Sequence, residues 1–238
     1  MEKQIIFEGK EKRIYSADGE DRIIIHYKDM TTAFGGIKQA LLKGKGKYSC
    51  RISAMLFSAL EKEGIRTHFL SLLSDREQLC LRLEPIPLQL VVRNRIAGST
   101  AKMLGVENGL RIPNTLLEFR YNCDELGDPM INEDHAVALG IATYDELSQM
   151  RAIALKTDEI LKELYHRAGI ELIDFKLEFA RDADGCLRIS DELSPDNSRL
   201  WDEADGRVLD KDRFRFDMSE VCSSYREVME RLEKTIKQ

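Results

Sequence analysis

Ile173-Asp174-Phe175-Lys176-Leu177-Glu178-Phe179 alternates apolar and charged residues without a break. A strand turns successive side chains to opposite faces, so Ile173, Phe175, Leu177 and Phe179 share one face and Asp174, Lys176 and Glu178 the other. The spacing predicts a strand over residues 170–180. Asp184-Gly185 supplies a turn, and residues 187–193 return as a second strand, making an antiparallel hairpin. The acid–base–acid face has two readings. It is what a solvent-facing sheet carries, where alternating charges support each other. It is also a ligand face, because the returning Ser190-Asp191-Glu192 brings two more carboxylates beside Glu178. Crowded carboxylates repel unless a cation or lysine neutralises them, and Mg²⁺ accepts one or two carboxylates completed by phosphate oxygens. Strict alternation from Leu187 and Ile189 puts Glu192, not Asp191, on the charged face; Asp191 joins it only through a bulge.

Upstream of the hairpin, Thr143-Tyr-Asp-Glu146 forms a capping box, in which hydroxyl and carboxylate satisfy the first free amides of a helix. Leu147, Met150, Ala154, Ile160, Leu161, Leu164 and Ala168 continue it as an apolar stripe ending at Gly169. Residues 219–237 form a last amphipathic helix, and residues 48–63 an earlier one that stops at Gly64. Short strands are expected at residues 5–7, 13–15, 22–27, 78–83 and 88–92, with Pro85 and Pro87 marking the connection between the last two. Strands in runs with helices between the runs indicate an α+β fold with largely antiparallel sheets. A division near residue 115 gives two lobes, 1–115 and 116–238, without a linker to mark it.

The 238 residues carry 36 basic and 42 acidic side chains, a net charge of −6. That balance argues against a general nucleic-acid binder. No apolar run approaches the roughly 18 residues that cross a bilayer, and the charged start MEKQIIFEGKEKRIY is not expected to be a signal peptide. Five scattered cysteines give neither a disulfide framework nor a zinc site, as expected of a cytoplasmic, reducing-compartment protein. Basic residues cluster at Lys10, Lys12 and Arg13, between Lys38 and Arg51, and at Arg93 and Arg95. Separate basic clusters in an acidic chain suit small anionic ligands, although each cluster alone is also what a solvated surface carries.

Gly9 lies between two short strands, where backbone amides can approach a phosphate and Lys10 and Lys12 add charge; a plain hairpin turn has the same pattern. Walker A and G-x-G-x-x-G loops are absent from the sequence. Leu90-Val91-Val92-Arg93-Asn94-Arg95-Ile96-Ala97-Gly98-Ser99 runs a buried strand into arginines and a Gly-Ser helix start. Arginine and a serine hydroxyl there hold phosphate, or else pair with an acid and cap the helix. Arg199 beside Trp201 is open to the same two readings. The four histidines form no metal pair and no triad.

Taken together, GKEKRIY (residues 9–15), LVVRNRIAGS (90–99), LGDPMINEDH (126–135), LIDFKLEF (172–179), SDELSPDNSRLWD (190–202) and DKDRFR (210–215) resemble the phosphoribosylaminoimidazole-succinocarboxamide synthase (SAICAR synthetase) family nearly end to end. The resemblance implies a two-lobed, ATP-grasp-like fold, with a β-rich nucleotide-binding lobe followed by one carrying metal and substrate residues. It implies an ATP-dependent ligase of purine biosynthesis that joins L-aspartate to carboxyaminoimidazole ribonucleotide, giving SAICAR, ADP and phosphate. Lys10 and Lys12 would contact ATP phosphates, with the adenine against backbone near Leu81 and Arg82. Glu178 and Asp191 would hold Mg²⁺, which supports a bulge at Asp191. Arg93, Ser99 and Arg199 would grip the ribonucleotide phosphate, and Asp174 and Lys176 would face the same cleft as catalytic residues. A homodimer is usual among similar bacterial proteins. Two departures stand out: Ala33-Phe34-Gly35-Gly36, where many members have Ala-Phe-Asn, and Asn197 at a variable spot, neither expected to touch the metal or phosphate segments.

The chemistry fits three anionic substrates. A carboxylate reacts with an amine only once its oxygen can leave, so an acyl phosphate is expected, with water excluded. Residues 35–47, rich in glycine and lysine, are the expected closing loop. A phosphotransferase on the same scaffold is the alternative; a non-catalytic nucleotide sensor fits poorly because both metal carboxylates are present.

Overall fold

The structure, a computed structural model, describes residues 4–237. The chain first lays down β1 (Ile5–Glu8), β2 (Lys12–Ser16), β3 (Arg22–Tyr27), the short hairpin β4 (Met30–Ala33) and β5 (Lys38–Leu41), α1 (Lys45–Lys62), β6 (Phe69–Ser74) and β7 (Glu77–Leu81). β1, β2, β3, β7 and β6 lie side by side in that order as an antiparallel sheet. There follow β8 (Glu84–Ile96), α2 (Gly98–Leu104), β9 (Leu110–Tyr121), β10 (Met130–Ile131), α3 (Glu133–Ala138), α4 (Tyr144–Arg167), β11 (Ile170–Arg181), β12 (Leu187–Ser190), β13 (Ser198–Asp202), α5 (Asp212–Arg215) and α6 (Val221–Ile236). The second sheet runs β10-β9-β8-β11-β12, with β13 also on β11. This is the α+β architecture, with antiparallel sheets and flanking helices, that the runs of strands predict.

The apolar face of β11 explains why its alternation fixes the fold. Phe175, Leu177 and Phe179 are buried with Leu88, Leu90 and Val92 of β8, Leu147, Met150, Ala154 and Leu161 of α4, and Val228 and Leu232 of α6. Each fully buried side chain of this size contributes about 1.5–3 kcal/mol. The capping box forms as read: the Glu146 amide donates to Thr143 Oγ1 at 3.2 Å, and the Thr143 amide to the Glu146 carboxylate at 2.8 Å.

Several boundaries differ from expectation. Pro85 and Pro87 lie inside β8 rather than between strands. They are tolerated because β9 pairs with β8 only from Leu88 onward, leaving that end of β8 an edge. The change of sheet comes between β7 and β8, whereas residue 115 falls within β9. Residues 38–41 form β5, and α1 begins at Lys45, so the segment expected as one loop over residues 35–47 is mostly ordered structure. Finally, β12 ends at Ser190, three residues before the predicted end, because Asp191 takes a left-handed φ of 62°.

Candidate active site

The charged face of β11 floors a cleft of about 670 Å³ between the two sheets. Register carries this face across three strands. Asp174 of β11 opposes Arg93 of β8, Lys176 opposes Val91, and Glu178 opposes Gln89. Val91 and Gln89 in turn oppose Glu118 and Arg120 of β9. Opposed residues of antiparallel strands share a face, so the floor carries Asp174, Lys176, Glu178, Arg93, Glu118 and Arg120 around the uncharged Val91 and Gln89.

At one end of the floor, β12 stops and the left-handed Asp191 breaks the alternation. A short polar side chain tolerates that conformation better than most. The break lets both Asp191 and Glu192 turn towards Lys12 of β2. The Lys12 ammonium contacts the Asp191 carboxylate directly and stands 2.8 Å from Glu192. Lys176 stands 3.2 Å from Glu178. Burial works against the charge on Lys12, but Asp191 and Glu192 outweigh it and hold its pKa well above the ordinary value. Lys176 is raised in the same way, burial being overcome by Glu178 and Asp191. Both are therefore ammonium ions at neutral pH. Burial, then the charge of Asp191, pushes the Glu178 carboxyl up; burial also pushes Glu192 up, while Lys12 and Lys176 overcome burial to keep Asp191 low. Three carboxylates thus share two lysines.

A second ion-pair group braces this end. Lys45, the first residue of α1, is buried, with its ammonium 2.7 Å from Glu11 and 2.8 Å from Asp196. Lys211 reaches Glu11 at 2.7 Å. Lys45 is thus a structural tie rather than part of a mobile loop. Asn197 contributes too: its side-chain Nδ2 donates to the Lys176 carbonyl at 3.1 Å, and its main-chain carbonyl accepts from the Lys176 amide at 2.9 Å. Asn197 therefore touches β11 directly, contrary to expectation, and Phe34, Gly35 and Gly36 line the cleft as well.

At the other end, buried Arg93 donates from Nε and Nη2 to Glu118 at 2.9 and 3.0 Å and from Nη1 to Asp174 at 2.6 Å. Arg199 donates to Asp174 at 2.9 Å and to Asp212 at 2.8 Å. Its guanidinium lies against Gly98, where a Cβ would collide with it; that is why glycine stands there, at a φ of 62°. Ser99 is exposed at the cleft wall beside this group.

The comparisons with known proteins fit this arrangement. Residues 5–232 match the family model described as SAICAR synthetase. The chain belongs to the SAICAR synthetase family. The phosphoribosylaminoimidazole-succinocarboxamide synthase of Clostridium botulinum (strain Alaska E43 / Type E3) is 48% identical over 235 residues, covering 98% of this chain and 100% of that protein. The crystal structure of the synthase from Ehrlichia chaffeensis superposes with a TM-score of 0.95 at 40% identity, covering 97% of this chain and 98% of that one. A SAICAR synthetase in complex with ADP superposes with a TM-score of 0.92 at 44% identity, covering 95% and 96%.

Of the residues expected to serve a SAICAR synthetase here, Lys10, Lys12, Arg93, Ser99, Asp174, Lys176, Glu178, Asp191 and Arg199 all line the one cleft. Lys10 is paired with Asp124 at 2.6 Å at the exposed rim. Leu81 and Arg82 are not on its lining. Their amides donate to the His68 and Asp21 carbonyls at 2.7 and 2.8 Å, so contact with a base there falls to carbonyls or side chains. Sequence reasoning missed Glu192 as a Lys12 partner, and Glu118, Arg120, Asp196 and Lys211 altogether. Glu118 and Arg120 carry a signal: Leu117-Glu118-Phe119-Arg120 alternates as β11 does.

Proposed function

We propose that this cleft carries out the ATP-dependent ligation of L-aspartate to carboxyaminoimidazole ribonucleotide through an acyl phosphate. The ligation in purine biosynthesis is the activity of the SAICAR synthetases, to which the chain belongs. The observation that carries the residue assignment is one sheet face with lysine-bridged carboxylates at one end and an arginine–carboxylate group at the other. The first end suits a triphosphate and a cation, the second a phosphorylated nucleotide.

Among the described residues no group of three or more His, Cys, Asp or Glu side chains forms a metal site by itself. Glu178 and Asp191 nevertheless fit Mg²⁺, since the surplus of carboxylates over lysines calls for a cation and Mg²⁺ completes its shell with phosphate oxygens. Bound there, Mg²⁺ would neutralise charge on the triphosphate. Lys10 and Lys12 bind the transferred phosphoryl oxygens, with the adenine against the β7–β8 connection near Leu81 and Arg82. Ser99 and Arg199 hold the ribonucleotide phosphate, at the corner that Arg93 braces through Glu118 and Asp174. The substrate carboxylate oxygen attacks the terminal phosphorus and ADP leaves with the electron pair of the broken P–O bond. The aspartate amine, its ammonium proton already lost, then attacks the acyl carbon; the acyl C–O bond breaks, and phosphate departs with its electron pair and takes up the second proton that the nitrogen sheds. Lys176, held as an ammonium ion, stabilises charge in both steps and is not the proton acceptor; Asp174 orients the arginines. The reading extends, on the family resemblance, to a cytoplasmic homodimer working as one catalytic unit of two lobes. Among the described residues no helix is long and apolar enough to cross a membrane.

Purified protein given Mg-ATP and the ribonucleotide should release ADP and SAICAR one to one, only when L-aspartate is present. Stoichiometric phosphorylation without aspartate would instead establish the phosphotransferase alternative.

A further inference from the structure

Arg120 has no role in the reading above, yet it stands in the same row of the cleft floor as Gln89 and Glu178. Two strand spacings separate it from Glu178, about 10 Å. Its place among the arginines of that corner is shown by what each donates to. Arg93 is fully engaged: Glu118 takes it bidentately and Asp174 takes Nη1, and its side chain is 3% exposed. Arg199 is committed through Nε to Asp212 and through Nη1 to Asp174. Among the described residues Arg120 has only long contacts, 3.3 Å to the Asp128 carbonyl and 3.5 Å to both Ser99 Oγ and Glu118 Oε2. Those lie at the far limit of hydrogen bonding.

Glu118 does not need Arg120, because Arg93 and the Thr100 hydroxyl at 2.8 Å already satisfy it. The Asp212 carboxylate is shared by Arg199 and Arg215. Of the four guanidiniums here, Arg93, Arg199 and Arg215 each have a carboxylate within 2.9 Å, whereas Arg120 comes no closer to one than 3.5 Å, so Arg120 is the loosely held one. A half-buried guanidinium with loosely held donors beside a serine hydroxyl matches a phosphate monoester, whose oxygens accept from a planar fork.

We propose that Arg120 is a further substrate-binding residue that donates, with Ser99 and Arg199, to the phosphate of the ribonucleotide, while Arg93 is a positioning residue that holds Glu118 and Asp174. This rests on the assignment of that corner to the ribonucleotide phosphate.

The test compares Arg120→Gln, Arg120→Lys and Ser99→Ala with the unaltered chain, by steady-state kinetics and by calorimetric binding of the ribonucleotide and of its phosphate-free riboside. Loss of a charge-assisted bond predicts a rise of about 10- to 100-fold in KM for the ribonucleotide in Arg120→Gln. Arg120→Lys should recover part of it, KM for ATP and aspartate should stay within about 2-fold, and the riboside should bind both proteins equally. An unchanged ribonucleotide KM in Arg120→Gln, with a raised one in Ser99→Ala, overturns the proposal and leaves the phosphate corner standing. A raised aspartate KM, or equal weakening of riboside and ribonucleotide, overturns it in favour of another contact. If neither Arg120→Gln nor Ser99→Ala moves the ribonucleotide KM, the phosphate corner itself is misplaced and the proposal falls with it.

Discussion

Arg93 Nη1 and the Asp174 carboxylate stand 2.6 Å apart across β8 and β11, with their side chains 3% and 5% exposed. Arg199 shares the same carboxylate at 2.9 Å. Asp174 therefore sets the direction of two guanidiniums at once, and its charge is matched inside the protein before any substrate arrives.

Asp174→Asn keeps the shape and removes the charge. Breaking a buried ion pair from one side costs about 3–5 kcal/mol, because the remaining charge is left uncompensated. The variant should lose stability near the lower end of that range in urea titrations and show a raised KM for the ribonucleotide. Unchanged stability would mean that Glu118 and Asp212 suffice to hold the arginines.

Lys12→Met leaves Asp191, Glu192 and Glu178 with Lys176 alone. Apparent ATP affinity should fall at least about tenfold, in keeping with one lost charge-assisted contact. Stability should fall by about 3 kcal/mol at pH 8 and by less at pH 5. The sign follows from Glu178 and Glu192, whose carboxyls are both pushed up and take up protons readily on acidification, relieving the repulsion. A stability loss independent of pH would show that the carboxylates do not repel as described.

Glu178→Gln and Asp191→Asn each remove one hard oxygen charge. The Mg²⁺ concentration giving half-maximal turnover should rise about tenfold or more in either variant, equivalent to roughly 1.4 kcal/mol of lost cation affinity. An unshifted Mg²⁺ titration with lowered turnover would place the metal elsewhere.

His68 packs edge-on against Phe57, ring centroids 5.3 Å apart, and burial pushes its pKa down to about 4. An unfolded histidine titrates near 6.5. The unfolded chain therefore takes up the proton first, so the stability due to neutral His68 is fully present above pH 6.5 and is lost as the pH falls towards 4. Between pH 7 and pH 5 the loss should be about 2 kcal/mol. His68→Phe should flatten that slope by the same amount in paired denaturant titrations; identical slopes would contradict it.

What the sequence discloses here is what is local or periodic. The β11–β12 hairpin, the Thr143–Glu146 cap and the apolar stripe of α4 depend on spacings of two, three or four residues, so they can be read directly. The bulge needed at Asp191 was visible as a conflict with alternation, but its physical form, a positive φ at the strand end, leaves no mark in residue order. Lys45, Glu11, Asp196 and Lys211 meet across distant segments, and their pairing depends on how the two sheets are brought together. Pro85 and Pro87 read as strand breakers because the sequence does not show that their end of β8 is an edge. Arg120 alternates in plain view, but its significance appears only when the hydrogen bonds of its neighbouring arginines are accounted for.

The central claim, that the substrate carboxylate is phosphorylated before aspartate attacks, is tested most directly with a heavy-oxygen label. The ribonucleotide carboxylate is labelled with the heavy oxygen isotope, and inorganic phosphate is collected after turnover with Mg-ATP and L-aspartate. An acyl phosphate predicts that each phosphate released carries one oxygen from that carboxylate. Unlabelled phosphate alongside full SAICAR formation would contradict it.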